Sequence, residues 1–414
     1  MGENGLIRQA EKAGEHHANG VALEQDAIDT LLDKYLNGIS GEENNGSGEE
    51  TERPTTGPNG KPLTSTVKVT NHTGTAAEDI LGNSVYIPGG FKIASDSGET
   101  VKEGIVVEDT LGNQFVWIPV SNIDGSQSNP IKIDETNSVV ITLGRYIFDV
   151  GTRDSATNLY NGTGAVSTTA GTYQYAVNYA TTVTLNSRYQ ELKTKISGKN
   201  EIAKNLVTFI ESVRDNHGYY LARYEAGIVN VDTDGNPVEN YSLTTKVATD
   251  GSIKPLSQYG KGLWNSINQA DASYVCKNMY APTATVESYT ENSYVESDLI
   301  NSYAWDTAIV YIQAMTNTAY ACANSYSIGN TSSKLNTGES DDQKCKIYDM
   351  AANIYEWTTE YSTLTNSNGD FPCTYRGGYN GMANYTANRY SEGVGVTVGH
   401  IGFRVILYCK IGEW

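Results

Sequence analysis

The sequence has little charge, and most of that charge is of one sign. Charged residues make up 19% of the 414 residues, and 48 Asp and Glu outnumber 29 Lys and Arg, which gives a formal net charge of −19. A protein that neutralises phosphate groups needs a basic face. The composition therefore argues against DNA, RNA or an anionic membrane surface as the main partner.

Long apolar runs and catalytic motifs are also absent. No run of about 18 apolar residues occurs, so the sequence predicts no membrane-spanning helix. The GxSxG, HExxH and Walker A patterns are missing, and none of the five histidines sits in a nucleophile motif. These absences favour a protein that is not an enzyme.

Cysteine is scarce and confined to the last third of the chain. No CxxC or CxxH pair occurs, which argues against a zinc site. An odd number of cysteines leaves at least one free thiol or an intermolecular bond if the others pair. The five cysteines are Cys276, Cys322, Cys345, Cys373 and Cys409.

Glycine and tyrosine are plentiful, with 41 and 29 residues respectively. Together with many Thr, Ser and Asn, they are typical of an extracellular protein with many turns and loops. A chain of this length is too long for one small domain, so we expect two or three folded units.

We divide the chain into an N-terminal helical segment (1–39), a disordered linker (40–67) and a folded domain (68–414) with an insertion near 130–198. Apolar residues recur at roughly helical spacing over 3–38. The linker is dominated by Gly, Pro, Ser, Thr and Glu and cannot bury enough apolar surface to order itself.

The opening letters GENGLIRQAEKA resemble the stretch that follows the hydrophobic N-terminal segment of type IV pilin-like proteins of Gram-positive bacteria. That resemblance implies a pilus or cell-envelope assembly as a partner. The alternative is an amphipathic helix that packs on its own domain.

In the folded domain, alternation of apolar and polar residues predicts strands, and 3.6-residue periodicity predicts helices. Strands are expected at 84–94, 113–121 and 218–227, and a strand or hairpin at 139–150. The expected helices span 199–215, 265–280 and 303–316.

Four motifs occur in order near the C-terminus: IYDMAANIYEWT (347–358), TYRGG (374–378), ANR (387–389) and IGFRV (401–405). They resemble the YDMAGNVWEWT, LRGGS, ANR and GFR motifs of the formylglycine-generating-enzyme family, in the same order and with matching spacing. The similarity covers most of residues 80–408. It implies an α+β, C-type-lectin-like domain with irregular loops.

The motif residues also have a structural interpretation. Tyr355 and Trp357 lie two apart, so they share one sheet face, and Glu356 points to the other. A bulge or a close backbone approach is expected at Gly377 and Gly378. Three arginines are expected to pair with buried acids such as Asp349 or Glu356, namely Arg376, Arg389 and Arg404.

The enzymes of this family oxidise a substrate cysteine with two copper-binding cysteines, one of them a few residues before the ANR-like segment. The matching stretch here (378–393) has no cysteine, so we predict that the chain is not an enzyme. Cys345 and Cys373 are expected to be a cross-strand disulfide or core thiols. The resemblance to C-type lectins implies a Cys276–Cys409 pair.

Family members bind structural Ca²⁺ around an N-x-x-E segment, whose positions are held here by Asn353 and Glu356. Amide and carboxylate oxygens are suitable ligands for this ion. The resemblance thus implies a structural calcium site, and the alternative is that Glu356 pairs with an arginine. No other cofactor is expected.

The segment between Arg376 and Arg404 is rich in Tyr, Asn, Ser and Gly, a composition suited to recognition. It is similar to the C-terminal segment of variable proteins from diversity-generating retroelements, which is diversified at asparagine-type template codons. An ordinary loop of a non-diversified relative is the alternative. Met382 cannot arise from such a codon by adenine changes and could be invariant. The resemblance implies these ligand-binding residues, called the candidate face below: Tyr379, Asn380, Met382, Asn384, Tyr385, Asn388, Tyr390, Ser391, Glu392, Val394, Val396, Gly399 and His400.

The leading hypothesis is a surface-displayed binding protein, bacterial or phage-encoded, that is extracellular and takes an unknown protein or carbohydrate ligand. One alternative is a copper-dependent oxidase of the formylglycine-generating type. Another is a structural pilus or phage-tail subunit without a ligand.

Overall fold

The computed structural model describes residues 75–121, 129–146, 148, 173–175, 206–228, 253–280, 295–362, 365–366, 369–370 and 373–409. The N-terminal helix and the linker expected from the sequence lie outside these residues, as does most of the expected insertion. The described part is a mixed α+β structure with more strand than helix, which agrees with the predicted class.

Three helices and 21 strands form within the described residues. The helices are α1 (Leu206–Asn216), α2 (Gln269–Lys277) and α3 (Ser302–Thr316), and a 3₁₀ turn follows at Tyr320–Cys322. The strands are β1 (Thr75–Glu78), β2 (Ser84–Ile87), β3 (Lys92–Ile93), β4 (Val106–Glu108), β5 (Gln114–Pro119), β6 (Ile131–Lys132), β7 (Ser138–Val139), β8 (Tyr173–Tyr175), β9 (Gly218–Ala222), β10 (Gly227–Ile228), β11 (Gly262–Leu263), β12 (Val295–Leu299), β13 (Gln343–Lys344), β14 (Ile347–Tyr348), β15 (Tyr355–Ser362), β16 (Thr365–Asn366), β17 (Gly369–Asp370), β18 (Cys373–Arg376), β19 (Arg389–Glu392), β20 (Ile401–Phe403) and β21 (Val405–Cys409).

Side-chain caps set the ends of the two later helices. Asn268 accepts a hydrogen bond from Asp271 N at 2.8 Å, which starts α2 four residues after the predicted start. Asn301 caps α3 in the same way by accepting from Ala304 N at 2.9 Å, and Asn317 ends α3 in the left-handed conformation. Asparagine is favoured at both kinds of position. In α3, every residue before Thr316 is buried, so this helix lies inside the domain.

The larger sheet has six antiparallel strands in the order β12-β21-β9-β5-β4-β3. Helix α1 packs on β9 and β21, and α2 packs on β12. All five residues of β9 are buried, as are all five of β21, because both strands lie in the middle of this sheet. Within the described residues no helix has the length and apolar character to span a membrane.

The second sheet brings the C-terminal motifs together. Its strand order is β19-β18-β15-β20, and β8 pairs with the far end of β15. Strands β15 and β20 run parallel, whereas β18 pairs antiparallel with both β15 and β19. The motifs that are far apart in sequence are therefore neighbours in one sheet.

Two strand predictions need correction. In the described part of the strand or hairpin expected over 139–150, only Val139 lies in a strand, where it pairs with Ile131 between β7 and β6; residues 141–146 make only isolated bridges, and 147, 149 and 150 lie outside the described residues. The strand expected over 218–227 divides into β9 and β10. Between them the Arg223 side chain pairs with Asp96, with 2.7 Å between the charged atoms.

The predicted disulfides are also wrong, because all five cysteines are described and all carry free thiols. The alternative prediction of a core thiol is confirmed for Cys373, which is buried. Cys345 contacts the Tyr311 hydroxyl, while Cys373 lies in β18 opposite Glu392. Cys276 and Cys409 are buried but unbonded. Burial raises the pKa of each of these four thiols, which keeps them protonated.

Candidate binding face

The candidate face begins where the chain leaves β18 and passes close to another backbone segment. Gly377 has a φ of +89°, and a Cβ at that position would lie 2.7 Å from Met350 O. A Cβ on Gly378 would lie 1.8 Å from Ala351 O. Only glycine fits such an approach, so the close contact expected for the RGG motif is confirmed.

Beneath the candidate face lies a group of charges whose two acids are fully buried. Asp306, on α3, faces Arg376 Nη2 at 2.6 Å and also pairs with Arg389 Nη2. Glu360, on β15, pairs with Arg145 and lies 3.1 Å from Arg389 Nε and 3.5 Å from Arg376 Nη1. Burial alone would raise the pKa of Asp306, but Arg376 and Arg389 hold it below its usual value. Helix α3 and strands β15, β18 and β19 are thereby joined through charge-assisted contacts.

The arginines therefore differ in how well their partners could be predicted. Arg404 pairs with Glu356, one of the two acids proposed from the sequence, at 2.6 Å. The partners of Arg376 and Arg389 are Asp306 and Glu360 instead of Asp349 or Glu356, which corrects the prediction for these two. Arg376 also donates to Asn388 O at 2.8 Å, and this contact holds the loop that returns to β19.

The residues expected to bind calcium have protein partners. Glu356 accepts from Arg404 Nε at 2.9 and 3.1 Å and from its Nη2 at 2.6 Å. Asn353 Oδ1 accepts from Leu335 N at 2.8 Å, and Asn353 Nδ2 donates to Glu225 at 2.7 Å. Among the described residues, no three or more His, Cys, Asp or Glu side chains are grouped to hold a metal. The calcium site stays a prediction, and these contacts favour the alternative in which Glu356 pairs with an arginine.

A cluster of aromatic rings forms the centre of the candidate face. Tyr355, on β15, lies 5.0 Å from Tyr375, 5.4 Å from Tyr379 and 5.5 Å from Tyr390, measured between ring centroids. His400 lies 5.4 Å from Tyr379 and 6.1 Å from Tyr355. We call these five residues the tyrosine platform.

Strand register explains how the tyrosine platform is assembled. Tyr375 is opposite Tyr390 across β18 and β19, and the two rings stack at 5.4 Å. Trp357, opposite Tyr375 on β15, meets its ring edge-on at 5.5 Å. Because Trp357 is fully buried, it ties the tyrosine platform to the core. The predicted sharing of one sheet face by Tyr355 and Trp357 is confirmed, since both contact Tyr375.

Asparagine side chains connect the loop to the tyrosine platform. Asn384 donates to the Tyr355 hydroxyl, and Asn388 donates to the Tyr390 hydroxyl at 2.6 Å. Burial and the neighbouring Tyr390 and Tyr379 raise the pKa of Tyr355 to about 12, so its hydroxyl is neutral over the physiological range. Burial and the nearby Lys334 lower the pKa of His400, while Glu392 opposes the shift. The tyrosine platform is therefore an uncharged surface near neutral pH.

All thirteen candidate-face residues reach the surface. Met382 and Tyr385 are 47% and 44% exposed, and the other eleven are half-buried. The structure joins Tyr379, Asn384, Asn388, Tyr390 and His400 through the contacts above.

Two further candidate-face residues, Ser391 and Glu392, lie on opposite sides of β19. Alternation along β19 puts Glu392 on the side of Tyr390, and Ser391 on the side of Arg389. The Ser391 hydroxyl oxygen is buried without a hydrogen-bond partner. Ser391 therefore lies on the opposite side of β19 from the tyrosine platform, and its ligand-binding role stays a prediction.

Sequence reasoning missed two members of the tyrosine platform. Tyr355 was assigned only to the core, although its ring is also the centre of the surface cluster. Tyr375 lies before the RGG motif and was outside the expected segment. Tyr375 lies two residues before Gly377 and opposite Trp357. These facts indicate its place in the tyrosine platform only once the strand register is known.

No protein-family model matches this chain, and no curated protein matches it. Among solved structures, one described as the crystal structure of CarF is similar at 14% identity, with a TM-score of 0.29, over 46% of this chain and 87% of that chain. Treponema denticola variable protein 1 is similar at 16% identity, with a TM-score of 0.24, over 72% of this chain and 96% of that chain.

Proposed function

We propose that this chain is a surface-displayed ligand-binding protein without catalytic activity. Its scaffold is a C-type-lectin-like domain of the formylglycine-generating-enzyme type, and the candidate face is the hypervariable binding surface of a diversity-generating-retroelement variable protein. The protein is extracellular and bacterial or phage-encoded in this proposal. Its ligand is a protein or a carbohydrate.

The observation that carries the proposal is the tyrosine platform with its asparagine contacts. Tyrosine provides a large, rigid contact area at a small cost in conformational entropy, and asparagine provides adaptable hydrogen bonds. Here Tyr355, Tyr375 and Tyr390 project from strands that buried ion pairs fix from below, and the asparagines lie in the loop that joins two of those strands. A face held in one geometry before binding loses less entropy when a ligand arrives.

The lectin-like scaffold is supported by the way the four motifs meet in one sheet. Strands β15, β18 and β20 carry three of them side by side. Arg404, from the last motif, reaches back to Glu356 in the first. A shared motif order could be coincidental, but direct contact between motif residues indicates one structural unit.

Diversification can be tested by sequencing the gene from a large population of cells that carry it. We expect codon changes concentrated in the candidate face, with Met382, Arg376 and Arg404 constant. An imperfect repeat of codons 379–400 should lie beside a reverse transcriptase gene. Variation spread evenly over the chain, without such a repeat, would refute the assignment to a diversified protein.

Binding can be tested with full-chain display libraries. One library randomises Tyr379, Asn384, Tyr385, Asn388 and Tyr390. A control library randomises five positions of the β6–β7 hairpin, four of them exposed and Asp134 half-buried. Both are selected against purified lysozyme and against a purified glucan. Binders should come from the first library alone, and equal recovery from both would contradict the proposed location of the binding face. The control positions are Asp134, Glu135, Thr136, Asn137 and Ser138.

A further inference from the structure

A second segment, residues 324–334, lies against the candidate face. Its letters are NSYSIGNTSSK, the same Tyr, Ser, Asn and Gly composition that marks the candidate face. It follows the 3₁₀ turn after α3, so it comes from a different part of the chain. The formylglycine-type motifs do not include it.

Hydrogen bonds join this segment to the loop from 379 to 400. Tyr326 donates its hydroxyl to Gly381 O at 2.9 Å, and Ser325 Oγ accepts from Met382 N at 3.2 Å. Gly381 N donates to Asn330 O at 3.3 Å. At the far end, Lys334 donates to Gly399 O. Segment 324–334 therefore runs beside the loop from 379 to 400 and is hydrogen-bonded to it along its length.

The side chains of this segment are presented for contact. Tyr326 is 58% exposed, more than any other large apolar side chain among the described residues. Its ring is held in place by the hydroxyl contact with Gly381, two residues from Tyr379. The exposed ring of this tyrosine leaves apolar area in water, and that area does not stabilise the fold. Tyrosines are enriched at protein interfaces.

Asn330 lies at the contact between the two segments and has an unsatisfied side chain. The side chain is 7% exposed, and neither its amide oxygen nor its amide nitrogen has a hydrogen-bond partner in the protein. A buried amide without partners is costly. Asn380, the neighbour of Gly381, likewise has a buried side-chain oxygen without a partner. The two residues lie on either side of the contact between the segments.

We infer that segment 324–334 forms a fixed second half of the binding face, with Tyr326 as its main contact residue, and that the partner is a folded protein. This inference rests on the proposed function. Segment 324–334 adds 11 residues to the 22 of 379–400, and a standard protein interface uses about 20–30 residues a side. A short saccharide would cover only one or two of the rings.

Charge on the combined face also fits a protein partner recognised by shape. Glu392 and Lys334 are of opposite sign, and Arg389 is engaged by buried acids. The face is thus nearly neutral on a chain with a net charge of −19. Recognition through tyrosine contacts and amide hydrogen bonds suits such a surface, because it does not depend on a charged partner.

The test uses clones selected from the full-chain library described above. Each clone receives Tyr326→Ala, and the matched control is Tyr259→Ala. Tyr259 is 44% exposed but packs on Tyr224, outside the candidate face. In most lysozyme-binding clones we expect Tyr326→Ala to weaken binding at least tenfold and Tyr259→Ala to change it less than twofold. Thermal melting confirms that both variants remain folded.

Equal effects of the two substitutions would overturn the role of segment 324–334 and leave the proposed function standing. Binding of the glucan alone would overturn the protein as partner. A library that yields no binder to either probe would overturn both the inference and the binding function. Tyr326→Phe, which removes only the hydroxyl contact with Gly381, should weaken binding less than Tyr326→Ala if ring area provides the affinity.

Discussion

Arg404→Met is the substitution whose consequence follows most directly from the structure. Arg404 is fully buried. Its guanidinium pairs with Glu356 and donates hydrogen bonds to Ala222 O at 2.9 Å and to Tyr348 O at 2.7 Å. Methionine fills similar space but leaves Glu356 without a cation. Breaking a buried pair in this way typically costs about 3–5 kcal/mol. We expect the free energy of unfolding to fall by about that amount at pH 7.

The cost should depend on pH in a defined direction. Burial raises the pKa of Glu356 and Arg404 opposes the shift, so the pKa should rise further when Arg404 is removed. A carboxyl with a raised pKa in the folded state stabilises the fold below its unfolded pKa, and this contribution is lost as pH rises. Arg404→Met should therefore be less damaging at pH 5 than at pH 7.

Urea denaturation followed by circular dichroism at the two pH values measures both effects. The double variant Glu356→Gln/Arg404→Met should recover part of the loss, because it removes the isolated charge. Lys92→Met is the control, since the Lys92–Glu108 pair at 3.2 Å is partly exposed and such pairs contribute about 0–1 kcal/mol. A loss below about 1 kcal/mol for Arg404→Met, or one equal at both pH values, would refute the reasoning.

Three further predictions concern other sites. Burial raises the pKa of Asp349 from 3.8 to about 7. The stability that this carboxyl contributes is therefore lost as the pH rises from about 4 to 7. Asp349→Asn should weaken the pH dependence of the urea midpoint in that window, and an unchanged profile would contradict this. Gly378→Ala would bring a Cβ to 1.8 Å from Ala351 O, whereas Gly395→Ala meets no atom within 4 Å. We expect the free energy of unfolding to fall by about 2 kcal/mol or more for Gly378→Ala and by about 0.5 kcal/mol or less for Gly395→Ala. Similar melting temperatures of the two variants would be evidence against the close approach. Incubation with Cu(I) and a cysteine-containing peptide should yield no formylglycine by mass spectrometry, and robust turnover would replace the binding function with the oxidase.

The helices and the motif strands could be predicted because their signals are local. Helix α3 differs from its predicted range by one residue, since its apolar residues and the Asn301 cap lie together in sequence. Strands β5 and β9 follow from alternation and turn residues. The region after Val139 was harder to predict, because β-branched residues there favour a strand locally while the described residues 140–146 form only isolated bridges.

The ion-pair partners could not be predicted for a different reason. Asp306 and Glu360 are separated from Arg376 by 70 and 16 residues, and nothing near them in sequence distinguishes them from the other acids. Glu356 was identified because it belongs to a motif that also contains Trp357. Tyr326 carries no motif at all, so its place beside Gly381 follows only from tertiary structure.

The two faces of the second sheet explain how a binding surface could change without loss of the fold. Along β18 and β19, Tyr375 and Tyr390 stack on one face, while Arg376 and Arg389 reach the buried acids on the other. Strand alternation separates these contacts completely. A substitution at Tyr390 therefore alters the tyrosine platform and leaves the charges beneath it paired. A substitution at Arg389 would instead remove one cation from both Asp306 and Glu360, which would keep only Arg376 and Arg145 as cationic partners. The buried ion pairs that fix the face are thus separate from the platform residues that would determine ligand specificity.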